Sequence, residues 1–78
     1  MKVKVKYLGL IADHTRVEEE TFELEKATFE DLENRLVSKY AFLYEISYKI
    51  TVNHAFGEKG MILNEKDEIA VLPPFAGG

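Results

Sequence analysis

The sequence predicts an α+β domain in which one sheet packs on one helix. Two segments in the first third of the chain, residues 2–8 and 18–25, alternate polar with apolar residues, which is the period of a half-buried strand. A central segment instead repeats apolar residues every three or four positions, as one face of a helix does. The 78 residues suffice for one domain, and the helical excursion is long enough for the first and last strands to pair in parallel.

The first two strands are predicted from alternation near the start of the chain. Residues 2–8 alternate lysines with apolar side chains, and residues 18–25 alternate glutamates with Phe22 and Leu24. Residues 9–15 between them are predicted as a loop, and so short a connection permits only an antiparallel pair. The lysines of the first strand then face the glutamates of the second across the ladder, as exposed sheet surface.

A helix is predicted to begin after Thr28, whose hydroxyl can cap the first turn, with Asp31 three residues on. Acidic residues in the first turn and Lys39 in the last turn suit the helix dipole. Apolar residues at three- and four-residue steps form one stripe, which we interpret as core. The stripe consists of Phe29, Leu32, Leu36, Val37 and Tyr40.

The second half of the chain supplies the remaining strands. Residues 41–47 are predicted as a loop or a short turn of helix, and the β-branched residues of 48–52 predict a strand. Residues 61–63 are predicted as a short edge strand. Residues 68–72 are predicted as the last strand, which Pro73 ends because proline cannot donate to a ladder.

Composition excludes several classes of function. Without cysteine, the chain has no disulfide, no thiolate metal site and no cysteine nucleophile. A net charge of −4 disfavours nucleic acid and suits a partner with a basic docking face. No run of about 18 apolar residues is present. The alternating start is not typical of a signal peptide, so we expect a cytoplasmic protein without a membrane span.

Other candidate side chains carry weaker signals. His14 and His54 are far apart in the sequence, so no metal site is expected. The acidic run 18–20 is interpreted as solvated surface. Three leucines are either a docking patch on the exposed sheet face or ordinary core, and these are Leu8, Leu10 and Leu72.

The strongest functional signal is the last segment of the sequence. Its glycine pair is the narrowest backbone a protein can present, and a slot that excludes every Cβ would admit it together with its carboxylate. Its two prolines favour an extended start, which lowers the entropy lost on insertion, and its phenylalanine could anchor at a channel mouth. Six extended residues span about 20 Å. We therefore divide the chain into a domain, residues 1–72, and a tail consisting of Pro73, Pro74, Phe75, Ala76, Gly77 and Gly78.

The segment 67–78 resembles the C-terminus of the sulfur carriers of the MoaD/ThiS family, with its acidic pair, hydrophobic strand, two prolines, two further residues and Gly-Gly. It is closest to the MoaD branch, the small subunit of molybdopterin synthase. The order of elements also resembles that family, including an apolar loop at Leu8-Gly9-Leu10. The resemblance implies a β-grasp, or ubiquitin-like, fold. In that fold a mixed sheet of four to five strands packs on one main helix, and here a flexible Gly-Gly tail would follow.

The resemblance also implies a chemistry for the tail. An E1-like enzyme of the MoeB/ThiF type would use ATP and Mg²⁺ to adenylate Gly78, and sulfur would displace AMP to leave a thiocarboxylate. Two such equivalents would build the dithiolene of molybdopterin, the ligand of molybdenum or tungsten. A large subunit of the MoaE type would supply the catalytic side chains within a heterotetramer. The chain itself would bind no cofactor and contribute no catalytic residue.

The same tail suits three other functions. The chain could carry sulfur for thiazole synthesis or for tRNA thiolation. It could be a ubiquitin-like modifier of the small archaeal modifier type, conjugated to lysines through Gly78. It could also be a plain interaction module whose tail is incidental.

Overall fold

A computed structural model describes residues 1–74, which form a five-stranded mixed sheet with one main helix across one face. This is the α+β, β-grasp architecture that the sequence predicted. The strand order across the sheet is β2-β1-β5-β3-β4. The elements in chain order are β1 (Lys2–Tyr7), α1 (Leu10–Thr15), β2 (Glu19–Glu23), α2 (Phe29–Lys39), a short 3₁₀ helix (Ala41–Tyr44), β3 (Lys49–Val52), β4 (Ala55–Phe56) and β5 (Ile69–Leu72).

The first and last strands lie side by side at the centre of the sheet. β1 pairs antiparallel with β2 and parallel with β5, which confirms both predicted pairings. β3 pairs antiparallel with β5 on its other side. Because a parallel pair needs a long crossover, the excursion through α2 is what allows β5 to return beside β1.

The core lies between the sheet and α2. Alternate residues of the strands point toward the helix, and Val5 and Val71 at the centre of the sheet are fully buried. The predicted stripe of α2 supplies the other side: its first three members are buried, while Val37 and Tyr40 pack partly buried against them. Gly57 closes one edge of this core, because a Cβ there would overlap the ring of Phe29.

The start of α2 is capped as the sequence predicted. Thr28 has an extended backbone, and its Oγ1 accepts a hydrogen bond from the Asp31 amide at 3.2 Å. The Asp31 carboxylate in turn accepts one from the Lys26 amide at 3.2 Å. A cap of this kind stabilises a domain by about 0.5–2 kcal/mol.

The connection between the first two strands is a helix, so the predicted loop over residues 9–15 was wrong. α1 begins after Gly9 and ends at Arg16, and both residues have positive φ, 54° and 65°. Burial of Ile11 and Thr15 against the sheet stabilises this single turn and a half. So short a helix has no room for a repeating apolar stripe, and for this reason the sequence pattern did not reveal it.

The predicted edge strand over residues 61–63 was also wrong. Only an isolated bridge joins Ile62 to Thr28 there, and the Leu63 side chain turns into the core. The edge strand of the sheet is β4, which had not been predicted. It follows a tight turn in which Asn53 and His54 adopt φ of 53° and 70°. A two-residue strand is defined by its partner and not by a sequence period.

Candidate functional site: the tail-bearing end of the sheet

The tail leaves the domain from the central strand. Pro73 directly follows β5, and the Val71 carbonyl accepts a hydrogen bond from the Leu8 amide at 3.0 Å. Pro73 also lies against Gly9, where an added Cβ would be 3.5 Å from Pro73 Cγ. The base of the tail is therefore held against the end of β1, next to the central pair of strands β1 and β5.

Pro73 and Pro74 are half-buried at this exit. The other four predicted tail residues, Phe75, Ala76, Gly77 and Gly78, lie outside the described residues. Their roles in channel insertion and sulfur carriage stay predictions, as does the division into residues 1–72 and 73–78.

Two of the three candidate leucines meet beside the tail. Leu8 and Leu72 line one cleft of about 290 Å³ on the sheet face that α2 does not cover, which we call the open face. Leu8 is 46% exposed and Leu72 is half-buried, so neither is ordinary core. Leu10 is 54% exposed but lies on α1, outside the lining of this cleft. The structure thus brings Leu8 and Leu72 together and places Leu10 next to them on another element.

The cleft continues across the sheet through residues that the sequence patterns did not single out. Ala70 lines it between the two leucines and Thr51, and Thr51 pairs directly with Phe56 on β4. Phe56 is 67% exposed, and directly opposed residues share one face of a sheet. We call this set the apolar strip, consisting of Leu8, Ala70, Leu72 and Phe56. A hairpin signal at residues 53–54 could have placed Phe56, but not its neighbours.

Charged groups border the apolar strip. Lys6 pairs with Ala70 from the β1 side, and Lys49 pairs with Leu72 from the β3 side. The Lys49 ammonium lies 5.8 Å from the centre of the Phe56 ring, within cation–π range. At the far end of the cleft, His54 Nε2 lies 3.1 Å from Glu68 Oε2, and both side chains are exposed.

The opposite side of the sheet holds a network around Glu20, so interpreting this residue as solvated surface was wrong. Its Oε1 accepts hydrogen bonds from the hydroxyls of Tyr7, at 2.5 Å, and Tyr40, at 2.7 Å. Its Oε2 accepts one from Lys39 Nζ at 2.7 Å. The carboxylate thereby ties the first strand to the end of α2. No feature of the acidic run marked Glu20 out, because its partners come from β1 and from the end of α2, both distant in the sequence.

The network shifts the ionisation of its members. Burial alone would raise the pKa of Glu20, but hydrogen bonds from Lys39 and the two tyrosines outweigh it and hold that pKa below its usual range. Burial, together with the bond to the carboxylate, raises the pKa of Tyr7 well above its ordinary value. The carboxylate therefore stays charged and the phenols stay neutral at pH 7. Their chemistry suits a structural tie and not proton transfer.

The two histidines lie apart. The ring of His14 stacks on Phe42 at 4.8 Å, whereas His54 sits at the cleft. Within residues 1–74, no cluster of three or more His, Asp or Glu side chains could hold a metal ion. None of the helices in this part of the chain has both the length and the apolar character needed to cross a membrane.

Comparison with known proteins identifies the class. The model of the ThiS family matches residues 5–78, and the chain belongs to this family. It is a ubiquitin-like β-grasp domain related to molybdopterin converting factor subunit 1 and to the small archaeal modifiers.

Three solved structures illustrate the likeness. A Pyrococcus furiosus protein assigned as molybdopterin converting factor subunit 1 is 28% identical, with a TM-score of 0.84 over 95% of this chain and 98% of that one. Small archaeal modifier protein 1 of Methanosarcina acetivorans is also 28% identical, with a TM-score of 0.73 over 99% and 96%. A chain in the complex of subunits 1 and 2 of molybdopterin-converting factor from Helicobacter pylori is 23% identical, with a TM-score of 0.72 over the full length of both. At that identity the last likeness concerns the fold alone.

Proposed function

We propose that this protein is a sulfur carrier whose Gly78 carboxylate is adenylated and converted to a thiocarboxylate, and that it serves as the small subunit of molybdopterin synthase. The observation that carries the proposal is the ThiS family match, which extends through the Gly77-Gly78 pair. The geometry at the tail base supports it, because Pro73 follows the central strand and lies against Gly9 at the end of β1. We expect the protein to act in the cytoplasm, where ATP is available.

The chemistry begins with activation, because a carboxylate is a poor acyl electrophile. An oxygen of the Gly78 carboxylate attacks the α-phosphorus of ATP, and pyrophosphate leaves. A sulfide equivalent then attacks the acyl carbon and expels AMP, so that a C–S bond replaces a C–O bond without any change of redox state. An E1-like enzyme of the MoeB/ThiF type would hold the ATP and Mg²⁺, and this chain would hold no cofactor.

The residues of this chain position the acyl group and do not catalyse the reaction. Leu8, Leu10 and Leu72 would dock the partner beside the tail, and Phe75 would anchor the inserted segment. The glycine pair would pass the narrowest part of the partner's channel. A large subunit of the MoaE type would be the sulfur-accepting partner, in a heterotetramer; the Helicobacter pylori relative is found in a complex with subunit 2.

A second candidate function is conjugation to other proteins. The relative from Methanosarcina acetivorans is a small archaeal modifier protein, and it matches this chain over 99% of its length at 28% identity. The activation step would be the same. A lysine amine, and not sulfide, would then attack the acyl carbon of the adenylate, expel AMP and lose a proton, and so form an isopeptide bond.

Mass spectrometry tests both proposals. The protein is incubated with the E1-like enzyme encoded in the same genome, with MgATP and a sulfide source. Exchange of one oxygen for one sulfur at Gly78 supports carriage, and a variant lacking Gly77-Gly78 is the control. In protein from the native host, Gly-Gly remnants on lysines of other proteins support conjugation. If wild-type protein forms neither an adenylate nor a thiocarboxylate nor a conjugate, both proposals fail.

A further inference from the structure

The central strands of the open face differ in charge from the chain as a whole, whereas its edge strand β2 carries Glu19 and Glu23 there. The net charge of the protein is −4. Yet the exposed positions of β1 are all lysines, and β3 begins with another, Lys49. By the alternation of strand side chains, these lysines project from the open face, opposite the core residues. The net charge of the chain therefore does not describe the surface beside the tail.

Two of these lysines bracket the β5 residues of the apolar strip. β5 lies between β1 and β3, so Ala70 has Lys6 on one side and Leu72 has Lys49 on the other. The two ammonium groups thus border the leucines next to the tail from opposite edges. This juxtaposition exists only because the last strand inserts between the first and the third.

Neither ammonium group of the bracket forms an ion pair within the described part of the chain, although Glu19 lies directly opposite Lys6 in the β1–β2 ladder. Among residues 1–74, no carboxylate lies within 4.0 Å of the ammonium of Lys6 or Lys49. Their neighbour Lys4, by contrast, pairs with Glu19 at 3.9 Å. Two unpaired cations beside exposed apolar side chains form a surface that is complementary to an apolar hollow bordered by carboxylates.

We propose that Lys6 and Lys49 are specificity determinants of this face, which docks an activating enzyme whose contact surface carries carboxylates around an apolar hollow. The inference rests on the proposed function, since it concerns the enzyme that would adenylate Gly78. It reverses the expectation, drawn from net charge, that the partner has a basic docking face. Charge pairs at the edge of an interface act mainly on the rate of encounter and on its salt dependence.

The test measures activation of the tail by ATP–pyrophosphate exchange, with the E1-like enzyme from the same genome. The bracket variant is Lys6→Glu/Lys49→Glu. The matched control is Lys26→Glu/Lys59→Glu, which makes the same charge change at two other exposed lysines without a described ion pair. Lys59 borders the α2 side of the molecule, next to Glu30 and Glu33. Thermal unfolding of both variants checks that they remain folded.

With the bracket variant as substrate, kcat/KM of the enzyme is expected to fall about tenfold or more, through a higher KM at unchanged kcat. The dependence of kcat/KM on salt concentration should also be mostly lost. For the control variant, kcat/KM is expected to stay within about twofold of the wild-type value. Equal effects of the two variants would overturn the inference while leaving the proposed function intact. An absence of exchange with wild type would instead defeat the proposed function.

Two other occupants of the face would give distinct results. If the carboxylate of the protein's own tail pairs with these lysines, the bracket variant would raise kcat/KM, which contradicts the inference. If a second copy of the chain covers the strip, sedimentation equilibrium would show a wild-type dimer that the bracket variant dissociates, and this result would contradict it as well.

Discussion

The two faces of the sheet are built from alternate residues of the same strands, yet they differ in almost every physical respect. On β5, Ile69 and Val71 are buried under α2, while Ala70 and Leu72 open toward solvent beside the tail. The covered face is apolar and closely packed. The open face has a narrow apolar strip, whose two residues on β5 lie beside Lys6 on one side and Lys49 on the other.

This difference separates stability from binding along a single strand. A side chain on the covered face contributes through burial, so its loss lowers the free energy of unfolding. A side chain on the open face gains burial only when a partner covers it, so its loss lowers affinity and leaves folding nearly unchanged. Substitutions at neighbouring positions should therefore fall into two distinct groups.

The largest expected effect comes from Ile69→Ala. This side chain is 1% exposed, and its truncation should lower the free energy of unfolding by about 2–5 kcal/mol, measured by urea denaturation. The matched control on the same strand is Leu72→Ala, which should lower the free energy of unfolding by less than about 1 kcal/mol. Equal losses from the two truncations would show that the open face is part of the folding core, and the contrast between the faces would be lost.

A smaller effect is expected from Gly57→Ala, which adds a methyl group to the covered side. The new Cβ would overlap the ring of Phe29, so we expect overpacking to lower the free energy of unfolding by about 1–3 kcal/mol. A double-mutant cycle with Phe29→Ala checks the cause, because removing the ring should relieve most of the cost of the added methyl. A cost that persists without the ring would assign the effect to backbone conformation instead.

The smallest effect is expected from Glu20→Gln, which keeps the shape of the side chain but removes its charge. We expect the free energy of unfolding at pH 7 to fall by about 1 kcal/mol, because the hydrogen bonds from Tyr7, Tyr40 and Lys39 weaken. The exposed neighbour provides the control: Glu19→Gln should cost less than about 0.5 kcal/mol.

The pH dependence of stability distinguishes the Glu20 network from a generic loss of packing. The folded pKa of Glu20 is lowered, so its contribution is fully present above the unfolded value of about 4.3 and is lost as pH falls through the folded value. The pKa of Tyr7 is raised, so its contribution is lost as pH rises above about 10. Below pH 4.3, wild type should therefore approach Glu20→Gln in stability. A constant difference between the two proteins from pH 7 to pH 3 would contradict the assignment.

Sequence patterns located the elements whose signals lie within a few neighbouring residues. Alternation predicted the first two strands, Pro73 marked the end of the last strand, and the Thr28 cap with its apolar stripe predicted α2. α1 was missed because burial of Ile11 stabilises it, and because the positive φ at Gly9 and Arg16 that sets its ends leaves no period in the sequence. β4 was missed because two residues have no period, and only pairing with β3 makes them a strand.

The candidate site divides in the same way. The leucines beside the tail could be picked out from their position at the strand ends, and Leu8 and Leu72 do share one cleft. Phe56 and Lys49 could not be picked out, because their relation to the tail depends on which strands are neighbours. The role of Glu20 was hidden for a similar reason: its hydrogen-bond donors come from β1 and from the end of α2.

The sequence by itself determined the first, second and last strands, the capped helix α2, and which residues of the long strands face the core. These features depend on side-chain alternation and helix capping, both of which act over a few residues. The tertiary structure alone decided that β5 lies between β1 and β3, and therefore that Lys6 and Lys49 flank the base of the tail. Strand order follows from burying one whole face of the sheet under α2, and no single segment of the chain specifies that burial.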